Sequence, residues 1–170
     1  MRSEDSPGAQ DLPWGEASSS RAVPRKAVYL HPGFVYASRE PAEATTILGS
    51  CVAVCLWDAR LGIGGANHFL LPYGGGGSAR FGDVAIPDLI EQMARLGCQT
   101  RDLRAKVFGG AAVVEAFRDR EKHLGATNVE RARAVLAEQG IPIVAEDVEG
   151  RRGRKVIYQT DTGIALVKLV

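Results

Sequence analysis

At 170 residues, 45% apolar and 24% charged, the chain has the composition of an ordinary soluble domain and is long enough to bury a core without a covalent staple. A net charge of +1 excludes the basic bias of a nucleic-acid or anionic-membrane binder. Three cysteines are too few, and odd in number, for a disulfide framework; they fit a reducing, cytoplasmic setting, and the longest apolar run, Cys51 to Trp57, is far too short to span a bilayer.

In chain order, residues 1–26 are rich in Ser, Pro, Gly and charge, lack the apolar stretch of a secretory signal, and read as a disordered tail. The domain is expected over 27–170. AVYLHPGFVYAS (27–38) divides into two short strands at Pro32-Gly33. A strand is expected from about Cys51 to Trp57, a turn at DARLG, and a second strand over 63–72 that Pro72 stops. Joined as a hairpin, the two bring residues near 51 and 68 together. After a glycine-rich connection at 74–77, Ile86, Leu89, Ile90, Met93 and Leu96 recur at helical spacing over 83–96, with Pro87 in the first turn and Gly97 as the stop. RAKVFGGAAVV (104–114) reads as a buried strand that ends or turns at Gly109-Gly110. Thr127 and Glu130 have the form of a capping box opening a helix that Gly140 ends. Strands at IPIVAEDV, KVIYQT and IALVKLV close the chain. The expected fold is α/β: a layered sandwich of mixed β-sheets with two main helices.

Cys51 is the leading candidate for chemistry. A cysteine at a strand end is most often buried structure. Here it follows Gly49-Ser50, a tight turn able to present a side chain and free amides together, and the hairpin carries His68 toward it. Thr45, six residues upstream, offers a hydroxyl to hold the imidazole. A thiol needs this help because the thiolate is the attacking species. Cys55, on the same strand face, is expected in the core. Metal binding is not expected, since Cys98, His31 and His123 have no paired spacing. His123 reads as a solvated surface residue and His31 as a turn residue. The runs at 62–65 and 74–77 complete no phosphate-binding motif, so no cofactor is expected. No G-x-S-x-G elbow surrounds Ser50. RRGRK at 151–155 reads as a solvated turn, with docking of an acidic partner as the alternative.

Taken together, TTILGSCVAVCLWD, GGANHFLLP, FGDVAIPDLIEQM, AKVFGGA, TNV and GRKVIYQTDTGIALVK resemble the CheD family of chemoreceptor glutamine deamidases over residues 27–170. The resemblance implies Cys51 as nucleophile, His68 as base and an upstream threonine completing the triad. Thr45 is preferred to the adjacent Thr46 for its six-residue distance from Cys51. Backbone amides around Gly49 and Ser50 are the expected oxyanion donors, on loop shape. The chain departs from the family pattern at Asn67, where alanine is common, and at Glu149, where a second glycine often follows. The implied activity is hydrolysis of receptor glutamine side chains to glutamate with release of ammonia, through a thioester and without a cofactor. The implied partners are the cytoplasmic domains of methyl-accepting chemoreceptors and a CheC-type phosphatase. Receptor methyl esters would be a second substrate class. The competing readings are a non-catalytic adaptor for receptors or phosphatase, and a cysteine hydrolase acting on another amide.

Overall fold

The computed structural model describes residues 23–120 and 122–170. Residues 1–22 of the expected tail lie outside the described residues. Arg25 and Lys26 do not behave as tail: Arg25 makes a two-pronged ion pair with Asp161 at 2.7 and 2.9 Å, and Lys26 opens the first strand.

Nine strands and two helices are laid out in three layers among the described residues. The strands are β1 (Lys26–Tyr29), β2 (Val35–Ser38), β3 (Ala42–Leu48), β4 (Val52–Asp58), β5 (Ile63–Asn67), β6 (Leu103–Gly109), β7 (Ile143–Val148), β8 (Arg154–Gln159) and β9 (Ala165–Leu169). The helices are α1 (Gly82–Arg95) and α2 (Leu124–Glu138). One sheet runs β1-β3-β8-β9 and the other β2-β5-β4-β6-β7. Both are mixed, because β1 pairs with β3 and β6 with β7 in parallel while the other pairs are antiparallel.

Strand β4 explains the layering. All but one of its residues are buried, as its near-continuous apolar sequence requires of a strand covered on both faces. Val52, Val54 and Leu56 face the helices, packing with Ile86, Leu89 and Met93 of α1 and Val129, Ala132 and Leu136 of α2. Ala53 and Cys55 point the other way, into a second core with Leu48, Val156 and Tyr158 of the four-stranded sheet. Cys55 is therefore core, and burial pushes its thiol well up from the ordinary range. Tyr158 ties the sheets together, its hydroxyl donating to the Leu56 carbonyl at 2.8 Å.

Four local expectations are corrected. Strand β3 has no counterpart in the sequence reading, because its buried face is lined by Ala42, Ala44 and Thr46 before Leu48, a weak hydrophobic signal. The strand after the hairpin turn ends at Asn67 rather than Pro72 and continues only as isolated bridges. Helix α1 begins at Gly82, so Pro87 falls in its second turn, where its missing N–H would have met the Asp83 carbonyl. Helix α2 begins three residues before Thr127. Its N-cap is His123, whose Nδ1 accepts from the Ala126 N–H at 3.1 Å, and the Thr127 hydroxyl bonds back to the His123 carbonyl.

Arg154 of the RRGRK cluster is not a solvated turn residue. It is buried at the start of β8 and pairs with Asp147 at 2.7 Å. Glu149 adopts a left-handed backbone, φ 62°, in the turn ahead of that cluster, a conformation that costs a side-chain-bearing residue about 1 kcal/mol.

Candidate active site

The β4–β5 hairpin forms as its sequence suggests. Asp58 closes the turn by accepting the amides of Arg60 and Leu61 on Oδ1, and Gly62 takes the left-handed conformation (φ 65°) that completes it. The register that pairs Cys55 with Ala66 continues to Val52 and Phe69, whose N–H and C=O groups exchange hydrogen bonds of 3.0 and 3.1 Å. His68 therefore stands opposite Ala53. Cys51 lies two residues before Ala53 on the same face, the diagonal relation in which side chains of neighbouring strands still meet. That face is the inner one, and Cys51 packs against the core between the sheets. Asn67 points the opposite way. Its Oδ1 accepts the Val54 N–H and its Nδ2 donates to the Ala85 carbonyl, so it joins the hairpin to α1.

His68, 2% exposed, is held through its main chain and through one ring nitrogen. Its main chain is clasped by the β1–β2 turn, through the Gly33 N–H to the His68 carbonyl and the His68 N–H to the Phe34 carbonyl. Its Nδ1 lies 2.8 Å from the hydroxyl of Thr46 and 3.1 Å from the carbonyl of Leu30. The Thr46 hydroxyl itself donates to that carbonyl at 2.8 Å. A carbonyl can only accept, so Nδ1 carries the proton and Thr46 receives it. Nε2 is left with a bare lone pair; it is buried and has no protein partner among the described residues. In this tautomer the imidazole can take a proton at Nε2.

The threonine on the imidazole is thus Thr46 and not Thr45. In β3 the even-numbered residues Ala42, Ala44, Thr46 and Leu48 face the core, and a shift of one residue turns a side chain to the other face. Thr45 is on the outer face, half-buried, with its carbonyl accepting the Leu30 N–H.

Cys51 is a free, half-buried thiol. Burial raises its pKa, offset in part by its own backbone N–H, and burial lowers that of His68 against the Leu30 carbonyl, which raises it. Both shifts favour the uncharged forms, the thiol and the neutral imidazole.

The turn that leads into Cys51 is tied down at every carbonyl. The Gly49 carbonyl accepts from the Ala111 N–H at 2.9 Å, that of Ser50 from Asn128 Nδ2 at 2.9 Å, and that of Cys51 from the Gly110 N–H at 2.8 Å. The Gly109-Gly110 turn, which places the Gly110 and Ala111 donors, has room for no side chain. Both glycines are left-handed (φ 103° and 69°), and a Cβ would overlap the Cys51 carbonyl at Gly109 and Val129 at Gly110. In a trans peptide the N–H points opposite to the C=O. The amides of Ser50 and Cys51 therefore point away from these anchors, and among the described residues neither donates to another residue, the Cys51 N–H standing beside its own thiol. Beside Ser50 opens an apolar pocket of about 130 Å³ lined by Ala111–Val114 and the start of α2. In and around the turn that clasps His68, the exposed rings of Tyr29 and His31 meet edge to face with centroids 4.7 Å apart, and those of His31 and Phe34 are tilted at 5.5 Å. His31 sits in the turn, as its sequence context suggests.

Among the described residues no three His, Cys, Asp or Glu side chains are arranged to hold a metal ion, and no helix is long and apolar enough to cross a membrane. Sequence reasoning missed Thr46 and Asn128. The alternation of β3 could have revealed the first; the second has no local signal.

A family model described as CheD chemotactic sensory transduction matches residues 71–169. That span lies downstream of Cys51 and His68, whose pairing rests on the geometry above. Curated relatives extend further. "Probable chemoreceptor glutamine deamidase CheD 1" of Anaeromyxobacter dehalogenans is 49% identical over 85% of this chain and 85% of its own. The proteins named "Probable chemoreceptor glutamine deamidase CheD" of Sulfurimonas denitrificans and Trichlorobacter lovleyi are 41% and 44% identical, over 84% and 88% of this chain and 93% and 94% of theirs. A solved structure, the Bacillus licheniformis hypothetical protein YfiH, aligns with a TM-score of 0.42 at 18% identity over 68% of this chain and 49% of that one. The chain belongs to the CheD family of chemotactic sensory transduction proteins.

Proposed function

We propose that this protein hydrolyses glutamine side chains of chemoreceptor cytoplasmic domains to glutamate, with Cys51 as nucleophile and His68 as base. The observation that carries the proposal is the state of His68: Nδ1–H is held by Thr46 and Leu30, and Nε2 is bare on the sheet face that also bears Cys51. The relatives' names supply the substrate class.

The thiol proton passes to Nε2 as Sγ attacks the side-chain amide carbon of glutamine. The amide oxygen becomes an oxyanion, received by the outward N–H groups of Ser50 and Cys51. Thr46 accepts from the imidazolium Nδ1–H and steadies the charge. Collapse of the tetrahedral intermediate breaks the C–N bond, Nε2–H protonates the departing ammonia, and a thioester remains on Cys51. Water, giving a proton to Nε2, attacks the thioester; the products are glutamate and the regenerated thiol. Starting from a neutral pair, the proton moves during attack rather than before it. A receptor methyl ester would enter the same cycle with methanol as leaving group. The setting of this chemistry is the cytoplasm, and a CheC-type phosphatase is the proposed further partner, through the free edge of β9, where Leu166 and Leu169 are exposed.

The test is incubation of the protein with a receptor cytoplasmic fragment, following ammonia release and peptide masses, beside Cys51→Ala. Conversion of defined glutamines by the wild type alone supports the proposal. Binding of the fragment without conversion would make the protein an adaptor.

A further inference from the structure

The family motif TNV places Asn128 in the second turn of α2, remote in sequence from the catalytic residues, and the mechanism above assigns it no role. It is completely buried. Its Nδ2 donates to two carbonyls at once: that of Ser50 at 2.9 Å and that of Leu70 at 2.8 Å. Ser50 immediately precedes the nucleophile, and Leu70 lies two residues beyond the base. One amide group thus spans the two segments that must keep register for a proton to pass between them. Both acceptors are carbonyls, so the amide can only be oriented with its nitrogen toward them.

We propose that Asn128 is a positioning residue for the reaction, fixing the Ser50–Cys51 peptide so that the Cys51 N–H faces the developing oxyanion. The inference rests on the deamidase reading. The Gly49 and Cys51 carbonyls are anchored by backbone amides, which a change of side chain at the donor leaves in place unless it is to proline. Ser50 alone is anchored by a side chain, and its peptide carries the Cys51 N–H. Released from Asn128, that peptide is free to rotate and turn the N–H away from the substrate. The base side would feel the same loss, because the Leu70 carbonyl is freed together with that of Ser50. Helix α2 is seated closely enough to hold the amide in place. Gly125, one turn before Asn128, approaches the Gly110 carbonyl so tightly that a Cβ there would overlap it.

The experiment compares wild type, Asn128→Asp and Asn128→Ser in receptor-fragment deamidation, in Cys51 alkylation by iodoacetamide, and in thermal unfolding. Asn128→Asp keeps the shape and removes the donor; Asn128→Ser removes volume and keeps the comparison available if a buried carboxyl prevents folding. Alkylation builds no oxyanion; the Cys51 N–H enters it only by partly lowering the thiol pKa, so its rate responds far less than that of deamidation. The expected result is a fall in kcat of about ten- to a hundred-fold, less than the loss of an oxyanion donor outright. KM is expected to stay near the wild-type value and alkylation to change little. Unchanged kcat beside an active wild type overturns this inference alone. A parallel fall in alkylation and kcat, or failure of both variants to fold, makes Asn128 a structural residue and also overturns it. A wild type that converts no glutamine overturns the deamidase reading and this inference with it.

Discussion

Replacing Thr46 by valine removes the hydroxyl that receives the Nδ1–H of His68 while nearly conserving shape. In the resting state that bond joins neutral groups and contributes roughly 0.5–1.5 kcal/mol, whereas a hydrogen bond from the imidazolium is worth roughly 1.5–3 kcal/mol. The difference, about 1–2 kcal/mol, is stabilisation available only once His68 has taken the thiol proton. At about 1.4 kcal/mol per factor of ten, kcat should fall roughly 5- to 30-fold. The loss is bounded because the Leu30 carbonyl, 3.1 Å from Nδ1, still holds the tautomer. KM should stay close to wild type, since Thr46 is buried behind the imidazole. Thr45→Val alters the outer face of β3 and should leave kcat within about a factor of two, as surface changes do. Steady-state deamidation of a receptor fragment by both variants measures this. A larger loss from Thr45→Val than from Thr46→Val would refute the assignment of the hydroxyl and the strand register on which it rests.

Burial raises the Cys51 pKa and lowers that of His68, so alkylation of Cys51 by iodoacetamide should be slow near pH 6 and climb into the alkaline range. A rate already at its plateau at mildly acidic pH would reveal a preformed thiolate–imidazolium pair and contradict the neutral one. Gly110→Ala places a Cβ against Val129 at a left-handed position and should cost about 2–5 kcal/mol from backbone strain and overpacking, read as a fall in Tm of several degrees; a Tm within a degree of wild type would show that α2 is not seated as described. Tyr158→Phe removes the buried bond to the Leu56 carbonyl across the two sheets and should lower stability by about 1–2 kcal/mol. Denaturant unfolding measures that, and an unchanged midpoint would mean that the bond contributes nothing.

The hairpin that carries Cys51 and His68 was legible because its signals are strong and local: a continuous apolar strand, a DARLG turn with Asp at its start, and a second apolar strand. Period-two counting placed Cys51 and Cys55 on one face, and they are. Strand β3 was not legible, because alanines and a threonine line its buried face ahead of Leu48, and much of the bulk in this core comes from Tyr158 of the neighbouring β8. Without that strand there was no parity with which to separate Thr45 from Thr46, and chain distance chose the residue on the wrong face for bonding His68. Helix α2 was placed late because Thr127 and Glu130 mimic a cap that His123 provides instead. Asn128 could not be read at all: its partners lie 78 and 58 residues away in the chain, and inside a helix it carries no local signature.

The proposed mechanism requires a thioester between Cys51 and a receptor glutamine side chain. It is tested most directly by mixing wild type with the receptor fragment, quenching in acid within the first turnover, and measuring the intact mass of the protein species. The account predicts a covalent species joining the two chains through Cys51, cleaved by hydroxylamine, formed together with one equivalent of ammonia and absent from Cys51→Ala. Deamidation by Cys51→Ala at the wild-type rate, with no covalent species, would contradict it.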